Sequence, residues 1–412
     1  MGTSTTLTGA EPALAAAVRR STRGQRVRAI LLVAPLFVLL LVSFCAPIAV
    51  LLSRAVYDPT MHEALPRTAS ALAAFPGKGL PDDAVFAAFS RDLLAAKKND
   101  SLYDVAKDLN NLLAGARSHV LRAGRIISHE KPATRADFIA TDPFWGQTGT
   151  WFAIRNGLRS FTTSYLLAAI DLRWTDTGGI ASVPSDQAIY RGVFARTFGI
   201  AAAVTLITLV LGFPLAWLLA NLPGRLAARL ILLVLLPFWT SILVRTAAWT
   251  VLLQKYGILN DLLLTLHVTD HRFDLMYTRT GLIIAMTHIQ LPFTLLPMYS
   301  VMRTIPASQM RAAYSLGAHP FAAFRRVYLP QVTPGIMAGC LLTFILCLGY
   351  FITPALVGGP ADQLIANFIY NYIDVELNWQ MAAALSCILL ALTLGLFAVF
   401  ARVFGIDRMK LV

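Results

Sequence analysis

Four cysteines and seven histidines are the residues of this 412-residue chain best suited to metal binding or covalent chemistry. Each cysteine lies in an apolar run, and no pair has the Cys-x-x-Cys spacing of a zinc or redox site. The four are Cys45, Cys340, Cys347 and Cys387. Because no histidine cluster accompanies them, we expect small buried side chains, no disulfide framework and no metal site.

Sequence motifs of common catalytic sites are also absent. The chain has no GxxxxGK[ST] phosphate loop, so we do not expect it to bind or hydrolyse ATP by itself. It has no HExxH, no GxSxG and no GxGxxG after a strand. His288 lies in an apolar run, where a hydrogen-bonded packing role is the expectation and a proton relay the alternative. We expect a protein that is not an enzyme.

Composition indicates a protein surrounded by lipid. Hydrophobic residues make up 57% of the chain and charged residues 14%, against about 25% charged in soluble domains. The net charge of +13 is also typical of nucleic-acid binding. Arg and Lys, however, gather at the ends of apolar runs, as membrane topology requires. We therefore expect a lipid bilayer as partner and no nucleic acid.

Apolar runs of about 20 residues predict an all-α integral membrane protein with six transmembrane helices. They cover residues 29–52, 193–221, 228–253, 281–302, 336–357 and 380–404. The first resembles a signal peptide in position, but its apolar length exceeds the usual ~7–15 residues, which favours a retained anchor. A GxxxG pair, Gly335 and Gly339, permits close helix packing at the start of the fifth span and indicates little else.

Basic residues beside the predicted spans set the orientation. They lie before the first span, between spans two and three, between spans four and five, and after the last. All four groups fall on one side of a six-span protein. The tails 1–28 and 405–412 are therefore expected in the cytoplasm and residues 53–192 on the external side of the membrane.

The predicted external insert, residues 53–192, carries amphipathic helices over 84–98 and 102–126. "DPFWGQTGTW" and "DLRWTDTGG" are rich in turn-forming residues and predict loops or short strands. Trp145, Trp151 and Trp174 favour local packing or an interfacial aromatic belt, with a binding surface as the alternative.

A basic, proline-containing segment, 303–335, separates the fourth and fifth spans. We expect a short helix over 307–317 ended by Gly317, a second short helix from Pro320, and a return turn at Leu329 and Pro330. Side chains presented to a partner would be Ala312, Ala313, Leu316 and Phe324. The alternative is an amphipathic hairpin lying on anionic lipid.

Spacing within this segment resembles the coupling loop of permease subunits of bacterial ABC importers. The family pattern is E-A-A, three residues, G, nine residues, I-x-L-P. Its matching residues are Ala312, Ala313, Gly317, Val327, Leu329 and Pro330. Arg311 stands where the family usually has Glu, which puts in doubt a carboxylate pairing with the ATPase.

Other stretches are similar to the polyamine-type (spermidine/putrescine) permeases, among them "LPFWTSILVRTAAW" at 236–249 and "NWQMAAALS" at 378–386. The resemblance implies the type I importer fold, with a five-helix core over 193–404. It also implies alternating access, a heteromer with a second permease subunit, two cytoplasmic ATPase subunits that bind ATP and Mg, a periplasmic solute-binding protein and a location in the bacterial inner membrane.

Candidate pathway residues are Tyr350, Trp239 and Arg245. Relatives often carry Asp or Glu where Tyr350 stands, and Tyr350 offers a cation–π face instead, or ordinary packing. Trp239 is equally an interfacial anchor, and Arg245 is expected to face protein or water. A polyamine-like solute, another solute (an opine, an amino acid derivative or a phosphonate) and a proton-coupled carrier using His288 remain open, as does the role of the insert.

Overall fold

The computed structural model describes residues 30–73, 75, 79–113, 115–127, 133–175 and 179–404. The chain forms two compact units, Met1–Arg54 and Ala55–Val412, and each is described by itself. The predicted cytoplasmic tails, 1–28 and 405–412, lie outside the described residues.

The first unit contains helix α1, Ile30–Ser53, at the predicted first span. Its backbone hydrogen bonds change to the wider π-helical pattern over Leu41–Cys45, just before Pro47. Proline has no N–H and crowds the carbonyl four residues earlier, so a local wide turn accommodates it. Cys45 is exposed, contrary to the expected buried position.

The second unit begins with the insert, here residues 55–189. Its helices are α2 (Thr60–Ala64), α3 (Pro66–Ala73), α4 (Asp83–Lys98), α5 (Leu102–Leu112), α6 (Ala116–Ile126), α7 (Arg135–Thr141), α8 (Thr148–Gly157) and α9 (Ser164–Ala168). Strands β1 (Leu172–Trp174) and β2 (Ile180–Ser182) pair antiparallel. The predicted helix over 102–126 is divided at Gly115, whose φ of +86° ends α5 and starts α6.

The core of the insert is aromatic. Val85, Phe89 and Leu93 are buried along one face of α4, as their spacing predicts. Trp145 and Trp151 are fully buried against them, and the Trp151 indole N–H donates to the Trp145 carbonyl at 2.9 Å. Local packing is therefore the correct interpretation of these two tryptophans.

The stretch "DPFWGQTGTW" is neither a loop nor a strand. It forms a 3₁₀ turn over Pro143–Gly146 and then enters α8. The Asp142 carboxylate accepts from the Phe144 N–H at 3.1 Å, and its other oxygen contacts His119 at 2.6 Å and Arg122 at 2.7 Å. The Asp142 side chain caps the start of the 3₁₀ turn, and such a cap favours a helical over an extended conformation of this stretch. "DLRW", by contrast, forms strand β1 as predicted.

The rest of the second unit is helical: α10 (Tyr190–Asn221), α11 (Gly224–Trp239), α12 (Ile242–Leu252), α13 (Ile258–Thr265), α14 (Arg279–Thr304), α15 (Ala307–Ser315), α16 (Pro320–Leu348), α17 (Ile352–Leu356), α18 (Ile365–Asp374) and α19 (Trp379–Phe404). A 3₁₀ turn covers Pro360–Asp362. Among the described residues, five helices are long and apolar enough to span a membrane, and a sixth if the bent pair α11–α12 counts as one span. The all-α membrane fold is thus confirmed.

The third predicted span, 228–253, is not a single helix. Helices α11 and α12 meet at an angle of 96°. Pro237 terminates the first helix in a 3₁₀ turn, and the Ser241 hydroxyl accepts from the Val244 N–H at 3.1 Å to start the second. An N-cap within the apolar run restarts the helix, which hydropathy cannot detect.

Helices α10, α14 and α16 pack closely through small residues. A Cβ on Gly339 would lie 2.5 Å from the Thr294 carbonyl oxygen, and one on Gly335 would lie 3.0 Å from the Pro297 carbonyl oxygen. The Thr294 hydroxyl contacts those of Thr208 and Thr343 at 2.9 and 2.6 Å. The GxxxG pair, which permits close packing, therefore lies where α14 and α16 meet.

The insert is anchored to the start of α10 by Asp171. This buried carboxylate accepts from the backbone N–H groups of Ile189 and Tyr190 at 3.1 Å, and from that of Arg191 at 2.7 Å. The hydrogen bonds satisfy the free donors of the helix N-terminus and place a negative charge at the positive end of its dipole.

Candidate coupling segment and solute pathway

The segment between α14 and α16 begins with the short helix α15, which ends where the sequence predicts. Gly317 has a φ of +83°. The Gly317 N–H donates to the Tyr314 carbonyl at 2.9 Å, and the Ala318 N–H to the Ala313 carbonyl at 3.1 Å. This pair of bonds is the Schellman end of a helix, which requires a left-handed residue at Gly317.

The predicted return turn at Leu329 and Pro330 is wrong. Helix α16 runs from Pro320 to Leu348, so both residues lie inside it, and it ends nine residues before the predicted fifth span does. A π-turn over Phe324–Tyr328 precedes Pro330 and provides the wider ring that a missing N–H requires. The Gln331 side chain also donates to the Val327 carbonyl at 2.7 Å.

Exposed apolar side chains surround Gly317. Leu316 is 88% exposed and Phe321 67%, and Tyr314 is also exposed. Arg311 and Ala312 are exposed, and Ala313 is half-buried. Among the described residues, Arg311 has no ion pair. The surface formed by Tyr314, Leu316 and Phe321 is called the coupling surface below.

Phe324, expected to face a partner, instead packs inward. Its ring stacks on Tyr328 at 5.7 Å between centroids and meets Phe213 edge-on at 6.2 Å. Phe321 takes the exposed position that we expected for Phe324. The predicted helix start at Pro320 is correct, but the sequence does not show which of the two rings, Phe321 or Phe324, meets the neighbouring helices.

Arg245 holds the bend between α11 and α12. Its guanidinium donates to the carbonyls of Pro237 and Thr240, and it lies 5.8 Å from the centre of the Phe238 ring. These carbonyls have no partner in a following helical turn because the first helix ends there, and the Thr240 hydroxyl also donates to that of Pro237 at 2.7 Å. Arg245 therefore faces protein, as expected, while Trp239 is 73% exposed.

Tyr350 lies just beyond the end of α16, in the same region as Arg245. Its side chain is half-buried, and its hydroxyl has no hydrogen-bond partner among the described residues. The Thr246 and Thr353 hydroxyls, 3.1 Å apart, join α12 to α17 beside it. Trp249, one turn along α12 from Arg245, bonds to His288. The structure thus places Arg245 and Tyr350 in the same region, with His288 nearby.

His288 has a partner on a neighbouring helix. Its Nδ1 accepts from the Trp249 indole N–H at 3.1 Å, and the two rings meet edge-on at 5.3 Å. This hydrogen bond matches the predicted packing role, and it holds Nδ1 as an acceptor.

Acidic side chains are missing from the described membrane-spanning helices, which contain no Asp or Glu. Carboxylates near the ends of these helices are at Asp362, Asp374 and Glu376. Asp362 pairs with Arg279 at 2.8 Å, and Asp374 accepts from Tyr370 at 3.0 Å. Glu376 accepts from the Asn371 side chain at 3.0 Å. In the part of the chain that the structure describes, no group of three or more His, Cys, Asp or Glu could hold a metal ion.

Residues 212–408 match the model of the family described as "Binding-protein-dependent transport system inner membrane component". The spermidine/putrescine transport system permease protein PotB of Escherichia coli K12 is 37% identical over 209 residues, which cover 50% of this chain and 75% of that protein. The inner membrane ABC transporter permease protein YdcU of the same strain is 36% identical over 225 residues, covering 52% and 71%.

A more distant relative is the putative 2-aminoethylphosphonate transport system permease protein PhnU of Salmonella choleraesuis. It is 28% identical over 220 residues, covering 52% of this chain and 76% of that protein. A solved alginate ABC transporter is 16% identical and covers 54% of this chain and 80% of that one. Its TM-score of 0.44 is too low to support an argument. The identity and coverage of PotB show that the chain belongs to the inner-membrane components of binding-protein-dependent transport systems, as a polyamine-type ABC importer permease.

Proposed function

We propose that this subunit carries a small amine-bearing, polyamine-like solute across the bacterial inner membrane by alternating access. A periplasmic binding protein delivers the solute, and two cytoplasmic ATPase subunits supply the energy. ATP and Mg bind to those subunits and not to this chain. The observation that carries the proposal is the exposed coupling surface, which lies in the segment resembling the family's ATPase-docking loop.

Coupling follows from the continuity of α16. The coupling surface ends at Phe321, in the first turn of this helix, and the helix continues through the π-turn at Phe324–Tyr328 to Leu348. Displacement of Phe321 by a closing ATPase is therefore transmitted along a stiff helix into the packed group α10, α14 and α16. Ala312, Ala313 and Gly317 shape the surface, Val327, Leu329 and Pro330 continue it into the span, and Arg311 offers a cation to an acidic ATPase group.

The proposed assembly pairs this chain with a second, different permease subunit. Both tails lie in the cytoplasm and residues 53–192 outside, following the basic flanks of the spans. Arg245 and Tyr350, with the exposed Trp239, lie on the solute pathway. The unpartnered Tyr350 hydroxyl supports this placement because a buried polar group without a partner is costly unless a ligand or subunit satisfies it.

Substitution of Leu316 tests the docking role. We expect Leu316→Glu to abolish co-purification of the ATPase subunits, because a charge replaces the most exposed apolar side chain of the coupling surface. Leu266→Glu, at a site 62% exposed on the other side of the proposed topology, is the matched control and retains them. Full ATPase recovery with Leu316→Glu contradicts the proposal.

A solute that carries both an amine and an acid group is the second candidate, because the described spans lack carboxylates. A fully cationic solute would cross without a counter-charge and pass the Arg245 guanidinium, whereas an amine that also carries an acid group would not be repelled. Thermal stabilisation of the partner binding protein by spermidine or by 2-aminoethylphosphonate separates the two. Stabilisation by 2-aminoethylphosphonate alone would replace the polyamine proposal.

A further inference from the structure

A cleft of about 720 Å³ lies between the insert and the adjoining ends of the core helices. The insert contributes Phe152 and Asn156 from α8 and Trp174 from β1. The core contributes Tyr190, at the start of α10, and side chains of the segment joining α18 to α19. This volume is in the range of small-molecule sites, about 300–1,000 Å³.

The core wall of the cleft joins two tyrosines to a carboxylate. The Tyr190 and Tyr372 hydroxyls bond to each other, and the Tyr190 ring meets Phe368 edge-on at 6.3 Å, so these aromatic faces are held in place. Glu376 lines the same cleft. One of its oxygens accepts from Asn371 at 3.0 Å, and no described residue donates to the other.

Two other carboxylates in this region, Asp171 and Asp374, are not available to a ligand in the cleft. Asp171, close to the cleft in the fold, is committed to three backbone N–H groups, and Asp374 accepts from Tyr370 and does not line the cleft. The described spans contain no carboxylate. Glu376 is therefore the one carboxylate among the described residues that line this cleft, and it lies there beside aromatic rings.

We propose that this cleft binds the ammonium group of the transported solute, with Glu376 as its counter-charge and Trp174, Tyr190 and Tyr372 as cation–π partners. The proposal rests on the proposed function, since it takes the solute to be an amine. In this account the insert forms one wall of a holding site at the mouth of the pathway. Arg173 also lines the cleft and marks where an acidic group of a zwitterionic solute would lie.

Calorimetric titration of the purified full chain in detergent tests the site, with spermidine and 2-aminoethylphosphonate as probes. Glu376→Gln keeps the side-chain shape and removes the charge, so we expect affinity for a bound probe to fall about five-fold. Asp374→Asn removes the same charge two residues away and leaves affinity within about two-fold, since solvent screens a charge outside the cleft. Equal effects of the two variants, or no saturable binding of either probe to the wild type, overturn the proposal.

Arg173→Gln distinguishes the two solute chemistries. Removing this cation tightens binding of spermidine and weakens binding of 2-aminoethylphosphonate, because the guanidinium repels one and attracts the other. ATP-driven uptake by the assembled complex is measured separately. If the complex imports a probe that the full chain does not bind, the cleft proposal fails and the transport function stands. If the chain binds a probe that the complex does not import, the cleft stands and that solute is wrong.

Discussion

Gly317 has a left-handed backbone conformation and open space around its Cα. Its φ of +83° is a conformation that costs other residues about 1–2 kcal/mol, and a Cβ there would meet no atom within 4 Å. The backbone conformation, not space, therefore restricts the residue type. Since Gly317 lies between Tyr314 and Phe321, its conformation also sets the shape of the coupling surface.

Charge and shape at this position can be separated. We expect Gly317→Asp to leave the ATPase subunits able to hydrolyse ATP while solute uptake falls sharply, because a carboxylate enters the coupling surface near the negative end of α15. Gly317→Asn has nearly the same shape and tolerates the left-handed conformation, so it should retain most uptake. Uptake and ATP hydrolysis are measured on the same proteoliposomes. Wild-type uptake with Gly317→Asp counts against the coupling role.

Asp108 in the insert predicts a dependence of stability on pH. Burial, followed by repulsion from Asp58, raises the pKa of this carboxyl to about 6. Asp104 adds repulsion, Lys107 opposes it, and the Tyr165 hydroxyl donates to Asp58 at 3.3 Å. Between about pH 4 and pH 6 the folded insert holds a proton that the unfolded chain has lost. Stability therefore falls as pH rises through this window and is constant above it.

Asp108→Asn removes the free-energy cost of ionising this buried carboxyl in the folded insert. We expect it to stabilise the insert at pH 7.5 by on the order of 2 kcal/mol, after allowing for solvent screening, and to change little at pH 4. Fluorescence of the buried Trp145 and Trp151 during thermal unfolding reports the change. Asp104→Asn, an exposed neighbour on the same helix, should shift the midpoint less. Equal stabilisation by Asp108→Asn at both pH values would refute this reading of the carboxyl.

At the scale of helices, contact between α14 and α16 depends on the absence of side chains at Gly335 and Gly339. The Thr294 hydroxyl bonds to Thr208 and Thr343, so one residue links α10, α14 and α16. In lipid, where apolar burial contributes little between helices, such close contact and hydrogen bonding provide the association energy. These three helices form one packed group. In the proposed coupling, motion of α16 therefore displaces α10 and α14 as well.

Gly339→Ala tests this packing. Its Cβ would lie 2.5 Å from a backbone oxygen of α14, which cannot move without shifting the helix. We expect a loss of about 1–3 kcal/mol, the usual cost of overpacking, and earlier thermal exposure of the buried Cys347 thiol to a reactive dye. Gly199→Ala on α10 has open space and should be neutral or stabilising. If both variants behave alike, the close approach is not important for stability.

Sequence periodicity predicted helices well and their interruptions poorly. Hydropathy located the spans, and the four-residue spacing of Val85, Phe89 and Leu93 identified the buried face of α4. The bend at Ser241 and the π-turn before Pro330 depend on individual hydrogen bonds, which a mean over about 20 residues does not register. Exchange of Phe321 for Phe324 on the coupling surface has a different cause: α16 starts at the predicted Pro320, but only folding decides which ring packs against Phe213.

In the whole second unit, the Asp171 cap joins the insert to the start of α10, and the Arg191 guanidinium adds a bond by donating to the Ile170 carbonyl at 2.8 Å. The sequence indicated the insert and its helices but not these attachments, because they join residues 18 to 21 positions apart through single hydrogen bonds. An insert fixed to the start of α10 moves with that helix, so opening of the core would also change the cleft. Arg245, Tyr350 and His288 were likewise brought together by folding and not by spacing.

Uptake of labelled spermidine tests the central claim most directly. The complex of this chain with its second permease, its ATPases and the binding protein is reconstituted in proteoliposomes, with ATP as the only energy source. We expect ATP-dependent uptake that Gly317→Asp abolishes, while ATP hydrolysis persists. Uptake driven by a pH gradient without ATP, or undiminished in the variant, would contradict a permease coupled to ATPases through this segment.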